Sequence, residues 1–183
     1  IIMPTNTIIS CALPIVRGGG VPIVVDCDRK TFNIDYSQIE AKITAKTKAI
    51  MAVHIFGLPV EMDKIISLCE KYNLYLIEDA AEMHGQFYNN KPCGSFGHLS
   101  IFSFYANKHI TTGEGGMVVS DDKEIINKIN YYKNLCFNQE QRFSHDHMGW
   151  NFRMSNLQAA VGLAQIEQMK NFKTLKRNLG KKY

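Results

Sequence analysis

The 183-residue chain has no block of five or more basic residues, and its net charge is only +4. A nucleic-acid footprint needs clustered positive charge, so this dispersed balance argues against a nucleic-acid partner. The densest basic run, Lys170 to Lys182, reads as the solvated face of a helix. No apolar run approaches the ~18–20 residues that span a bilayer, and no signal-peptide pattern opens the chain, so no membrane partner is expected. The five cysteines, Cys11, Cys27, Cys69, Cys93 and Cys136, are odd in number and include no Cys-x-x-Cys pair. They read as reduced thiols of a cytoplasmic protein, not as a disulfide scaffold. His145 and His147 stand two apart without a partner at ligand spacing, so no metal is expected. Gly-x-Ser-x-Gly, His-Glu-x-x-His and Walker loops are missing too, which removes several common hydrolase and NTPase readings.

What is present suits a globular α/β protein. Apolar residues make up 45% and charged residues 21%, enough for one sizeable core. Short apolar runs read as strands at Val21 to Asp26, Ala49 to Phe56, Leu74 to Ile77, Leu99 to Tyr105 and Met117 to Ser120. Helical spacing marks Asp35 to Ile43, Glu61 to Tyr72 and Lys123 to Asn134, the last with Ile125, Ile126 and Ile129 on its apolar side. A fourth helix is expected over Ser155 to Met169. It opens with a Ser155/Gln158 capping box and continues its face through Leu157, Val161, Ala164 and Gln168. Continuously apolar strands predict burial on both faces, and their alternation with helices predicts a mixed, mostly parallel sheet between helices. The glycines at 18–20 and 113–116 precede strands and read as turns rather than as nucleotide loops. The chain opens on Ile1-Ile2-Met3-Pro4 and stops at Lys181-Lys182-Tyr183 inside a helical pattern, so it is expected to be the middle of a longer polypeptide.

In such sheets ligands gather at the carboxyl ends of strands, where Asp79 and His54 both fall. Glu78 and Asp79 end an apolar run and are followed by Ala80-Ala81, whose small side chains let a flat ring approach the backbone. Lys108 lies 29 positions after Asp79, behind Ile101, Phe102 and Phe104 and before a glycine-rich turn. A lysine among apolar neighbours can offer a nucleophilic amine. A carboxylate at a strand end can hold a pyridine nitrogen protonated, so the pair is what a pyridoxal phosphate site needs. Ser103 could donate its hydroxyl to the cofactor phosphate, and Glu82 is a better candidate than His84 for lying against the ring.

Six segments carry a resemblance: 31–35 (Thr-Phe-Asn-Ile-Asp), 47–57, 77–82 (Ile-Glu-Asp-Ala-Ala-Glu), 102–108 (Phe-Ser-Phe-Tyr-Ala-Asn-Lys), 112–116 (Thr-Gly-Glu-Gly-Gly) and 151–160. In this order, over essentially the whole chain, they resemble the pyridoxal-phosphate-dependent nucleotide-sugar aminotransferases of the DegT/StrS group. The resemblance implies a type I, aspartate-aminotransferase-like fold in which residues 1–183 are part of the large domain. The upstream phosphate-cup segment and the C-terminal small domain are then missing. It implies that Lys108 is the Schiff-base lysine, Asp79 the partner of the pyridine nitrogen, Glu82 a residue packed on the ring and Ser103 a phosphate ligand. Asn151 would reach the cofactor phosphate of the neighbouring subunit in a homodimer with a shared active site. The implied reaction moves an amino group from glutamate to a 4-keto-6-deoxy sugar nucleotide for surface-glycan precursors. A C3-aminating relative, a UDP- or dTDP-linked ketosugar, or a non-catalytic remnant are the alternatives. Related 3-dehydratases carry histidine in place of the lysine, so Lys108 favours transamination. The chain departs from the pattern at Thr5-Asn6-Thr7-Ile8, where many relatives place an aromatic residue on the ring and where Ile8 would have to pack instead.

Overall fold

A six-stranded sheet organises the computed structural model, which describes residues 1–138, 140, 141 and 143–183. Its strands are β1 (Ile2–Pro4), β2 (Ile23–Val25), β3 (Ala49–Val53), β4 (Tyr75–Asp79), β7 (Leu99–Ser103) and β8 (Gly116–Val119). A separate hairpin joins β5 (Phe87–Tyr88) to β6 (Lys91–Pro92). The helices are α1 (Leu13–Arg17), α2 (Tyr36–Ile39), α3 (Met62–Tyr72), α4 (Lys123–Lys133), α5 (Asn156–Glu167) and α6 (Met169–Gly180). Across the sheet the order is β2-β1-β3-β4-β7-β8. Every neighbouring pair is parallel except β7 with β8, so the sheet is mixed and mostly parallel, as the sequence predicts.

The period-2 alternation of the strands sorts side chains between two cores. Ile2, Ile50, Ala52 and Leu76 pack with Met62, Ile65, Leu68 and Cys69 at α3. Met3, Met51 and Val53 face the other way, against Cys11 and Ile15 of the α1 region. Each buried Ile, Leu or Met contributes on the order of 1.5–3 kcal/mol. All five residues of β3 are buried, which explains its unbroken apolar run. β2 departs from the expected burial on both faces: Ile23 is 37% and Val24 52% exposed. The reason is its place at the sheet edge.

Helix ends follow local chemistry. Asp35 accepts from the Ser37 N–H and starts α2, which tightens into a 3-10 turn over Glu40–Lys42. Asn73 closes α3 in the left-handed region, at φ 50°. Asp122 caps α4, whose Ile125, Ile126 and Ile129 are half-buried. Ser155 and Gln158 form the expected capping box at α5. The fourth helix is shorter than predicted, because Gln168 leaves helical geometry (φ −95°, ψ 3°) and α6 starts anew at Met169. The face expected to be apolar and packed is also uncovered: no residue of α5 is buried, and Leu157 is 82% exposed. No helix among the described residues is long and apolar enough to cross a membrane.

Candidate functional site

Strand β4 divides two adjacent carboxylates. Leu76 and Glu78 point to the α3 side, and Ile77 and Asp79 to the α1 side. Glu78 is fully buried and saturated with donors. Its Oε1 accepts from His54 Nε2–H at 2.9 Å and from the Gly94 N–H. Its Oε2 accepts from the Phe96 N–H at 2.8 Å, the Gly97 N–H at 3.1 Å and the Ser100 hydroxyl at 3.0 Å. His54 Nδ1 accepts from the Val60 N–H at 3.0 Å, which puts the ring proton on Nε2. Burial alone would raise the Glu78 pKa, but the bonds from His54 and from the Gly94 and Phe96 amides outweigh it and hold it below the ordinary value. Glu78 and His54 thus pin the segment entering β7 to β3 and β4. His54 stands at a strand end as expected, but turns into the core and does not line the cavity.

Asp79 opens onto a cavity of about 510 Å³ that runs along the α1 face of the sheet. Ser103, at the end of β7, and Lys108 line the same cavity. Its walls are largely apolar, from Ile15, Met51, Ile77 and Ile101. Both Asp79 oxygens act as acceptors, Oδ1 from the Ala81 N–H at 3.0 Å and Oδ2 from the Cys11 thiol at 3.2 Å. Sequence reasoning missed Cys11, whose partner is 68 positions away. Lys108 Nζ donates to Glu82 Oε1 at 3.0 Å, and both side chains are partly shielded from solvent. Glu82 therefore reaches the site through the lysine and is not itself part of the cavity lining. Gly113 takes φ 78°, and the Phe104 N–H donates to Gly115 O at 2.8 Å, so the glycine segment is a turn returning the chain to β8. Ile8, expected to pack in place of an aromatic residue, lines the cavity at 63% exposure.

Two other residues stand apart. Asn151 is exposed, accepts from Arg153 Nε–H at 3.0 Å, bridges to Asn134, and does not line the cavity. His84 is buried beside Phe102, Phe104 and His109, and neither ring nitrogen has a hydrogen-bond partner among the described residues. Burial, aided by the positive charge of His109 and Lys108, pulls its pKa down to about 4. The nearby Ser103 main chain opposes this shift without meeting hydrogen-bond geometry.

With this geometry in hand, the chain belongs to the DegT/DnrJ/EryC1/StrS aminotransferase family, which it matches over residues 1–183. It is 45% identical over 183 residues to the GDP-perosamine synthase of Escherichia coli O157:H7, covering 100% of this chain and 50% of that protein. Among solved structures, Helicobacter pylori PseC, an aminotransferase involved in the biosynthesis of pseudoaminic acid, superposes with a TM-score of 0.86 at 32% identity. That match covers 92% of this chain and 46% of PseC. The E. coli GDP-4-keto-6-deoxy-D-mannose-3-dehydratase, solved with hydrated pyridoxal phosphate, superposes with a TM-score of 0.89 at 28% identity over 97% of this chain and 50% of that one. The chain shares the α/β fold of these enzymes and spans about half the length of the relatives it matches.

Proposed function

We propose that this chain forms the pyridoxal-phosphate-binding part of an aminotransferase that moves an amino group from glutamate to a 4-keto-6-deoxy sugar nucleotide. The observation that carries the reading is that Asp79 and Lys108, far apart in sequence, line one cavity. The residues suit the cofactor. A volume of about 510 Å³ lies within the range of roughly 300–1,000 Å³ usual for small-molecule sites. Apolar walls accept a flat ring, and an anchored carboxylate and an amine line the same space. When bound, pyridoxal phosphate supplies a carbonyl that a lysine amine can attack and a ring that takes up the electron pair left by a broken C–H bond.

Each residue then has a task. Lys108 Nζ would hold the cofactor, and its amine would be the group placed to take up and give back a proton at the reacting carbon. Glu82, bonded to Nζ, sets the position of that amine. Asp79 would pair with the ring nitrogen and compensate its positive charge. Ser103 would hold the phosphate from this chain, and Asn151 would hold that of a second copy in a homodimer. That division agrees with the separation of Asn151 from the cavity in its own chain. Similarity to GDP-perosamine synthase over the whole chain supports a GDP-linked ketosugar in surface-glycan precursor synthesis. The five free cysteines support a cytoplasmic setting.

The experiment uses the complete protein that contains this chain, and its Lys108→Ala variant, with pyridoxal phosphate, glutamate and GDP-, UDP- and dTDP-linked ketosugars. Wild type should develop the visible absorbance of lysine-bound cofactor and aminate the GDP sugar at C4; the variant should do neither. Turnover retained by Lys108→Ala refutes the role of the lysine. Preference for another nucleotide or for C3 reassigns the substrate. A wild type with no spectral change on adding the cofactor is a non-catalytic relative.

A further inference from the structure

Cys11 ends the 3-10 turn Ile9–Cys11 that leads from β1 into α1, and is 4% exposed. Its Sγ lies 3.2 Å from Asp79 Oδ2 and 3.1 Å from Thr7 Oγ1. A thiol carries a single proton. If it is given to the carboxylate, the Thr7 hydroxyl must point its own proton at the sulfur, so the three side chains form a directed chain from Thr7 through Cys11 to Asp79. The Ala81 N–H holds the other carboxylate oxygen at 3.0 Å. With one donor on each oxygen, the plane of the Asp79 carboxylate is fixed. We infer that Cys11 is a positioning residue, whose thiol aims the Asp79 carboxylate at the protonated nitrogen of a heteroaromatic ring in the cavity. The inference rests on the cofactor reading proposed above.

Chemistry supports a thiol that stays a donor. Burial, and then the neighbouring Asp79 charge, push the Cys11 pKa up to about 12 against the opposing hydrogen bond from Thr7. The sulfur is therefore protonated at any working pH, and it is a poor nucleophile. Cys11 and Asp79 come together because β1 and β4 both flank β3, and because Asp79, the last residue of β4, and the turn that follows β1 both lie on the α1 face.

The test separates aiming the carboxylate from filling space. Full-length wild type, Cys11→Ala and Cys11→Ser are titrated with pyridoxal phosphate and with 1-deazapyridoxal phosphate, which has carbon where the ring nitrogen stands. Cys11→Ala should bind pyridoxal phosphate about tenfold more weakly, the scale of one hydrogen bond to a charged group. Its affinity for the deaza compound should not change. Cys11→Ser keeps a donor and should bind pyridoxal phosphate within about threefold of wild type. Equal loss of both ligands in Cys11→Ala marks a packing role and overturns the inference. No loss of either overturns it as well, as does a serine variant as weak as the alanine one. A wild type that binds neither ligand overturns the cofactor reading itself and the inference with it. That result is distinguishable from the others because the failure is then in the parent protein.

Discussion

Replacing Glu78 with glutamine removes half of the most heavily bonded carboxylate among the described residues. Glutamine keeps one acceptor oxygen and turns the other into an NH₂ donor. Its best placement sets the oxygen where Oε2 was, satisfying Phe96, Gly97 and Ser100. The new amide then faces the Gly94 N–H and His54 Nε2–H, donor against donor. His54 cannot relieve the clash by moving its proton, because Nδ1 already accepts from Val60. Two buried donors lose their partner at ~1–3 kcal/mol each, a total of about 2–6 kcal/mol. This is a large share of the ~5–15 kcal/mol that holds a domain together. Urea denaturation of the Glu78→Gln variant should show a midpoint shifted down with an unchanged slope. The wild type carries an acid signature as well. The folded Glu78 pKa is depressed, so its stabilisation is complete above the unfolded value of ~4.3 and is lost as the pH falls through the folded one. That acid limb should be shallower in the variant. A glutamine variant within about 0.5 kcal/mol of wild type would refute the assignment of Glu78 as the clamp on the segment entering β7.

Two further outcomes follow from buried groups. His84, with its pKa pulled down to about 4, binds a proton more readily when unfolded, near pH 6.5. It should therefore withdraw stability as the pH drops from ~6.5 toward 4, by at most about 3 kcal/mol; His84→Phe should flatten that slope in denaturation curves taken across the range, and an unchanged slope contradicts the burial argument. Gly94 takes φ 91°, and an added Cβ would collide with the Phe102 ring. Gly94→Ala should consequently lower the melting temperature sharply, consistent with a cost of about 1–3 kcal/mol or more, and a variant melting with the wild type shows that the loop can yield.

The elements that sequence reasoning found are those with a strong local signal. β3 and β4 are short apolar runs ended by turn chemistry. α3 has a clear apolar face, and α5 a capping box. Residue types alone pair Asp79 with Lys108, and both line one cavity. What escaped was either too short or too distant. β1 has three residues, and α1 has five with a proline among them. The β5–β6 hairpin did leave a sign, since Asn89 and Asn90 are both left-handed (φ 47° and 63°), as a two-residue hairpin turn requires. Cys11 gave no local sign at all. Its partner is set by β1 and β4 lying on either side of β3, a fact of tertiary order that no spacing in the chain encodes. The exposed face of α5 shows the converse error: an apolar stripe in sequence says that a surface wants cover, not which surface supplies it.

The opposed orientations of Glu78 and Asp79 separate two kinds of constraint across a single peptide bond. In a saturation library scored once for cellular abundance and once for product formation, position 78 should fail the abundance screen with nearly every replacement. Position 79 should pass it with several and then fail on product. Neighbours in sequence would then sit at opposite corners of the same plot, and an average over the Glu-Asp pair would hide both behaviours.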